Sequence, residues 1–337
     1  MADSQSRKKL AILNVLRASS KPLSGAKIAR ELENAGQDIS ERTIRLYLQQ
    51  MDDEGLTENH GKHGRTITDR GLGELSASSL LRRMGMLSAR IDQMTYRMTF
   101  DLATRAGTVV VNTSLVKVEH LEQRLDLIMQ VFEQGYGMGT LACLLEPGER
   151  IGNMAVSDGM IGFCTVCSIT LNGVLLKHRI PTRSRFGGLL EIRRHRPVRF
   201  VEMISYDGTS IDPLDVFIRG GMTDYIGAIT RGDGRIGASF REVPSDSREL
   251  VTHLADKLDT IGLGAFMTIG QPAQPVLDIP VNEGCAGAIV IGGLNPVAIF
   301  EETGQRVQST ALAGLLEFNR LFHYTELKER LRKLRAS

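Results

Sequence analysis

The stretch Ser40-Glu41-Arg42-Thr43-Ile44-Arg45-Leu46-Tyr47-Leu48-Gln49-Gln50-Met51 reads as a helix with two unlike faces. Ile44, Leu48 and Met51 share one side and Arg42, Arg45 and Gln49 the other, while Ser40 stands in the N-cap position. The outer face is therefore basic and rich in hydrogen-bonding groups. Upstream, Leu10, Leu13 and Leu16, with Ile12 and Val15 beside them, recur at helical spacing until Pro22 closes the run. Ser24 caps a second helix through Ala26, Ile28, Ala29 and Leu32, which Gly36 stops, and only Gln37-Asp38-Ile39 separates it from the third. Downstream, after Gly55-Leu56, the segment Thr57-Glu58-Asn59-His60-Gly61-Lys62-His63-Gly64-Arg65-Thr66-Ile67-Thr68 reads as two short strands around a glycine-flanked basic tip. Three helices with a tight second-to-third turn, then a basic hairpin, is the order of a winged helix-turn-helix. In that fold the third helix enters the major groove, where arginine reads guanine and glutamine reads adenine. Ser40, Arg42, Thr43, Arg45 and Gln49 are thus the expected contacts to double-stranded operator DNA, and Lys62, His63 and Arg65 the expected wing contacts to phosphate or minor groove. The bland alternative is an interaction module with surface arginines; the order and spacing of all the features together favour DNA. Leu46 points away from the core on the same wheel, towards a thymine methyl or another part of a dimer.

A chain of 337 residues, 42% hydrophobic and 24% charged, can bury a sizeable core and favours two or three domains over one. No apolar run approaches the roughly 18 residues of a membrane span, and Met1 to Lys9 lacks a secretory apolar stretch, so the expected compartment is the cytoplasm. The four cysteines, Cys143, Cys164, Cys167 and Cys285, suit reduced thiols rather than a disulfide scaffold. The expected organisation is a winged helix over 1–70, a helical linker over 71–90, an α+β regulatory domain over 91–320 and a charged C-terminal helix over 321–337. Within the large domain, Tyr96 to Asp101 and Thr108 to Leu115 look like strands around a turn at Ala106-Gly107, and Leu121, Leu125, Ile128, Met129 and Phe132 mark a helix that Gly135 ends. The strand-strand-helix-strand order is α+β rather than doubly wound.

An internal repeat is suggested by residues that match at one constant offset: Ile180-Pro181 with Ile279-Pro280, Gly188 with Gly287, Pro197-Val198 with Pro296-Val297, and Glu202 with Glu301. Two related β-rich halves would form a pseudo-twofold arrangement with room for a ligand where they meet. In the first half, Thr182, Arg183, Ser184, Arg185, Gly187 and Gly188 combine guanidiniums, hydroxyls and bare backbone amides suited to a carboxylate or phosphate. Asn282 and Cys285 occupy the matching stretch of the second half, which has no arginine. Alternatively Arg183 and Arg185 are structural partners of acids such as Asp207, Asp212 or Asp215. Cys164 and Cys167 have the spacing of a redox or zinc half-site, but they fall in an apolar run, Ile161 to Leu171, that reads as a strand, and no second pair accompanies them. No metal site is expected. No P-loop, GxSxG or HExxH motif is present, so an enzyme is not expected either.

The segments Val166-Cys167-Ser168-Ile169-Thr170-Leu171-Asn172-Gly173-Val174-Leu175-Leu176, Ser184-Arg185-Phe186-Gly187-Gly188, Ile204-Ser205-Tyr206-Asp207-Gly208-Thr209-Ser210-Ile211-Asp212-Pro213, Ala238-Ser239-Phe240-Arg241-Glu242 and Gly292-Gly293-Leu294-Asn295-Pro296 resemble the NrpR family of nitrogen-regulatory repressors. The likeness runs from the winged helix to about Phe318, and the winged helix also resembles the one ahead of ribonuclease R. The resemblance implies a homodimeric repressor of nitrogen-assimilation genes that leaves its operator when 2-oxoglutarate binds, with no cofactor, and with the Arg183 to Gly188 segment holding the dicarboxylate. This chain has one such sensing domain where some relatives have two. Two other classes of function remain: a thiol or metal sensor working through Cys164 and Cys167, or a metabolite-processing domain centred on Tyr206-Asp207-Gly208-Thr209 with an attached DNA-binding module.

Overall fold

Ile12, Leu13 and Leu16 are buried on α1 (Ala2–Ala18), Ile28 and Leu32 on α2 (Gly25–Asn34), and Ile44, Leu48 and Met51 on α3 (Glu41–Asp53), so three helices close on one small core that Leu56 and Leu75 complete. Ser24 and Ser40 cap α2 and α3 by accepting hydrogen bonds from the Lys27 and Thr43 amides. Strands β1 (Thr57–Asn59) and β2 (Arg65–Ile67) pair antiparallel around a single turn of 3₁₀ helix, Gly61–His63. Leu23 adds a bridge to Arg65 from the α2 side, and the backbones approach so closely that a Cβ on Gly64, whose φ is 106°, would sit 2.3 Å from the Leu23 carbonyl. A further helix, α4, runs over 69–75. The computed structural model describes residues 2–19, 21–37, 39–75 and 86–336, in two compact units divided between Met84 and Gly85. Half of the expected linker, including Arg82-Arg83, lies outside the described residues, as does Asp38 in the turn before α3.

The second unit runs α5 (Met86–Arg97), β3 (Thr108–Val116), α6 (Val118–Glu133), β4 (Leu141–Leu145), β5 (Arg150–Ile151), β6 (Met154–Ala155), β7 (Ile161–Val166), α7 (Ile169–Lys177), β8 (Arg183–Arg193) and β9 (Arg196–Ser205). It continues with α8 (Pro213–Arg219), α9 (Tyr225–Arg231), β10 (Gly234–Pro244), α10 (Arg248–Thr260), β11 (Phe266–Pro272), β12 (Cys285–Ile291), α11 (Ala298–Glu302), β13 (Gln308–Glu317), β14 (Phe322–His323) and α12 (Leu327–Ala336). Two five-stranded antiparallel sheets result, in the orders β13-β3-β7-β4-β14 and β11-β12-β10-β8-β9. No described helix is long and apolar enough to cross a membrane.

The unit is built from two similar halves, β3-α6-β4-β7-α7-β8 and β10-α10-β11-β12-α11-β13, each of which lends its last strand to the other's sheet. Gly188-Leu189-Leu190-Glu191 in β8 recurs as Gly314-Leu315-Leu316-Glu317 in β13, with Gly188 opposite Ala238 and Gly314 opposite Val111. Leu171-Asn172-Gly173-Val174 recurs as Leu294-Asn295-Pro296-Val297 after β7 and β12 respectively. The α+β architecture and its two β-rich halves agree with the sequence reading, but the residues that correspond do not. Pro197, Val198 and Glu202 lie in β9, whereas Pro296 and Val297 form a 3₁₀ turn and Glu301 lies in α11. Glycine and proline answer to local turn geometry and recur wherever turns do, so their coincidence at one offset was no guide to equivalence.

Three segments differ from their expected structure. Tyr96 to Asp101 is not a strand: α5 runs to Arg97 and leaves Tyr96 83% exposed, and only Met98 and Phe100 turn into the core. Residues 86–90, expected in the linker, form the start of α5, which Leu87 and Ile91 anchor in the second unit. The apolar run from Ile161 to Leu171 is split, because β7 ends at Val166 and α7 starts at Ile169. Residues 169–175 are buried on every side, and such a helix shows no period that distinguishes it from a buried strand. The expected C-terminal helix is preceded by β14, which pairs with β4.

Candidate DNA-binding face and ligand clefts

On α3 the side opposite the buried Ile44, Leu48 and Met51 exposes Arg42, Arg45 and Gln49, with Leu46 also 55% exposed. Ser40 and Thr43 bond each other at 2.9 Å across the first turn, so their hydroxyls define where the helix starts. Arg45 is held by Glu41 one turn earlier and must exchange that carboxylate for any external partner. At the wing tip Lys62 and His63 are exposed as expected. Arg65 is not. Its Nε donates to Asp52 Oδ2 on α3 at 2.7 Å, and Thr57 Oγ1 donates to the other oxygen of the same carboxylate. Both charged side chains are only 20% exposed, so the pair clamps the wing to α3 and commits the Arg65 Nε to Asp52.

In the second unit, Thr182, Arg183, Ser184, Asn282 and Cys285 do come together, lining a cleft of about 640 Å³ with Asn172, Glu242 and the α5 residues Ser88, Ile91 and Asp92. Three residues of the expected site do not take part. Arg185 Nη1 donates to Glu242 Oε1 at 3.0 Å and to the Pro280 carbonyl at 2.6 Å. Glu242, 1% exposed, also accepts from the Asn282 amide and side chain, so Arg185 is structural and its acid is Glu242 rather than any aspartate. Gly187 and Gly188 are buried in β8, flanked by β9 and β10, where a Cβ would meet Pro213 and Phe200; the sheet claims their backbone.

Sequence reasoning missed Arg241 as a site residue. Its guanidinium, on a residue 1% exposed, donates to the Ser168 carbonyl, Ser168 Oγ and Asn172 Oδ1, and it has no ion pair among the described residues. Burial works against its charge. Asn172 passes the contact on, its Nδ2 donating to Ser184 Oγ at 3.1 Å. A cation thus lies one side chain below the cleft wall, and Thr182 Oγ1 is buried there without a hydrogen-bond partner. The signal in the sequence was a charged residue inside the apolar strand Ala238-Ser239-Phe240-Arg241.

Cys164 and Cys167 are buried, and burial pushes both thiols up to about 12, which keeps them protonated and poor nucleophiles at neutral pH. In the turn proposed as an enzymatic centre, Tyr206 is buried with its phenol pushed up by burial, and Asp207 accepts a hydrogen bond from Ser88 at 2.7 Å.

A winged helix with an exposed basic third helix, joined to an α+β unit with a polar cleft, defines a winged-helix transcription regulator with a regulatory domain. Residues 84–323 match the family model of the NrpR regulatory domains NRD1 and 2, and residues 10–75 that of the ribonuclease R winged-helix domain. The chain is 36% identical over 312 residues to the global nitrogen regulator NrpRI of Methanosarcina mazei, covering 93% of this chain and 96% of that one. It belongs to the NrpR family of nitrogen regulators. Global nitrogen regulators NrpR of Methanococcus maripaludis and Methanocaldococcus jannaschii are 29% and 31% identical across 91% and 94% of this chain, which spans 54% of the length of each. A crystal structure of a nitrogen repressor-like protein from Methanococcus jannaschii superposes with a TM-score of 0.60 at 27% identity, over 71% of this chain and 98% of that one.

Proposed function

We propose that this chain is a non-enzymatic, homodimeric repressor of nitrogen-assimilation genes whose operator binding is relieved by a small metabolite, 2-oxoglutarate. One observation carries the DNA-binding part: Arg42, Arg45 and Gln49 stand exposed on a helix whose other face is wholly buried, beside a wing tipped by Lys62 and His63. The family membership supports the nitrogen link. For the effector, the first cleft offers Arg183, Ser184 and the unpartnered Thr182 hydroxyl above the buried Arg241. Asp92 and Asp207 also line the cleft and add negative charge, so a dicarboxylate would sit nearest Arg183. The Arg183 guanidinium, exposed at the rim, would take one carboxylate.

The switch is a population shift in which the effector binds better to the dimer that cannot seat both DNA heads. A coupling of about 1–3 kcal/mol changes operator affinity roughly 5–150-fold. A twofold dimer calls for a palindromic operator with half-sites about one helical turn apart or a multiple of it. The test is fluorescence anisotropy at fixed salt, on DNA from upstream of nitrogen-assimilation genes and of the protein's own gene, with and without 2-oxoglutarate. Selective binding that the ligand weakens is the expected result. Selective binding indifferent to it removes the effector, and no selectivity removes the repressor.

A further inference from the structure

The pseudo-twofold relation between the halves carries the first cleft onto a second. Arg183 and Ser184, opposite Glu242 and Arg241 near the end of β10, stand at the start of β8 as Gln308 and Ser309, opposite Leu115 and Ser114 near the end of β3, stand at the start of β13. The β5–β6 hairpin before β7 takes the place of the loop before β12. Gln308, Thr310, Leu115 and Asn153 of that hairpin line a cleft of about 890 Å³.

Helix α5 walls both clefts. Ser88, Ile91 and Asp92 line the first, and Arg90, Gln93 and Arg97 the second, which is the helical periodicity of two adjacent faces. The electrostatics are opposite in kind. The first cleft sets Asp92, Asp207 and the neutralised Glu242 against Arg183, whereas the second has two arginines in its lining and no carboxylate. Arg90 gives one N–H to the Leu312 carbonyl at 2.9 Å, and Arg97 makes no hydrogen bond or ion pair among the described residues. Their Cα atoms are two turns, roughly 10 Å, apart on one face, a separation that two long side chains span when they converge on one ligand.

The geometry points to a second ligand site in the cleft between α5, β13 and the β5–β6 hairpin, taking a small dianion, either a dicarboxylate or a phosphate, through Arg90 and Arg97. Gln93, Asn153 and Gln308 supply the amides that would orient it. The site goes beyond the function proposed above and does not depend on the first cleft being the effector site. Because α5 borders both clefts, a ligand in either bears on the same helix, and any coupling between them is reciprocal.

The experiment is calorimetric titration of the full chain with 2-oxoglutarate and, separately, with inorganic phosphate, on the wild type and on Arg97→Gln, Arg90→Gln/Arg97→Gln and Thr182→Val variants. At least one anion should bind the wild type, with affinity falling about tenfold or more for each arginine removed and unchanged in Thr182→Val. Gln93→Glu, which adds a carboxylate without removing an arginine, should abolish the same event. Which titrant responds distinguishes carboxylate from phosphate. The site is overturned if, at millimolar anion, neither titrant gives an event that Arg90→Gln/Arg97→Gln removes, including the case in which the sole event is the one lost in Thr182→Val. Operator release by 2-oxoglutarate that survives Arg90→Gln/Arg97→Gln leaves the proposed function standing without it.

Discussion

Removing the Asp52 carboxylate separates two roles for Arg65. The structure makes Arg65 the far end of a clamp: its Nε reaches Asp52 Oδ2 at 2.7 Å with both side chains 20% exposed, and Thr57 shares the carboxylate. A charge-assisted bond is worth about 1.5–3 kcal/mol when shielded and an exposed ion pair at most about 1, so a pair one-fifth exposed falls near 1–2 kcal/mol. A double-mutant cycle of Asp52→Ala and Arg65→Ala, read by thermal unfolding of the full chain, should give a coupling of that size. Operator affinity should follow. If the wing must be reordered on the DNA, its lost tether of about 1–2 kcal/mol appears as a 5–30-fold weaker complex for either single variant, although Asp52 is an acid and gains nothing from DNA. The salt dependence should barely move, because no phosphate contact is lost, whereas Lys62→Ala should reduce the slope of log K against log salt by about 0.9. Coupling near zero, or a slope that falls by about one unit in Arg65→Ala but not in Asp52→Ala, would refute the clamp and restore Arg65 to the phosphates.

Further outcomes can be checked independently. Arg45→Ala should cost roughly 1–3 kcal/mol of operator binding and relax specificity at one base pair, while Glu41→Gln, which frees Arg45 from its intrahelical partner, should tighten binding by about 0.3–0.5 kcal/mol; a Glu41→Gln protein that binds more weakly contradicts this account. Asp212 caps α8 by accepting from the Leu214 and Asp215 amides, and burial raises its carboxyl to about 6. A folded-state value above the unfolded one means that protonation stabilises the fold below the unfolded value and that this contribution is lost as pH rises through about 6. Asp212→Asn keeps the cap without titrating, so its unfolding midpoint should gain on the wild type between about pH 4 and 6, and a constant difference would show that the carboxyl titrates normally. Asn295, fully buried, donates to the Tyr136 and Gly237 carbonyls at 2.7 and 2.8 Å; Asn295→Ala strands both acceptors and should lower stability by about 2–4 kcal/mol in chemical denaturation.

The sequence by itself determined the winged helix, because every signal for it is local. The Ile44, Leu48 and Met51 stripe, the Ser24 and Ser40 caps and the glycines around Lys62-His63 each act within a turn or two, and each is present in the structure in the expected place. The same local logic found β3, α6 and the segment beginning at Thr182 that lines a cleft. Only the tertiary structure decided what each charge faces. Arg65 reads as a free cation in the chain and Arg185 as either a ligand group or the partner of an aspartate, but packing brings Asp52 to the first and the β8–β10 pairing brings Glu242 to the second. Arg241 stood only within a segment that carried the resemblance and Arg97 belongs to no motif: one matters through its burial beneath a cleft, the other through the face that α5 turns to a second one. The true repeat was also on display, as Gly188 to Glu191 against Gly314 to Glu317, yet its meaning depends on two strands changing sheets. Helix periods and caps are written into neighbouring residues, whereas sheet partners and ion pairs are chosen by segments far apart in the chain that meet only when the whole unit has closed.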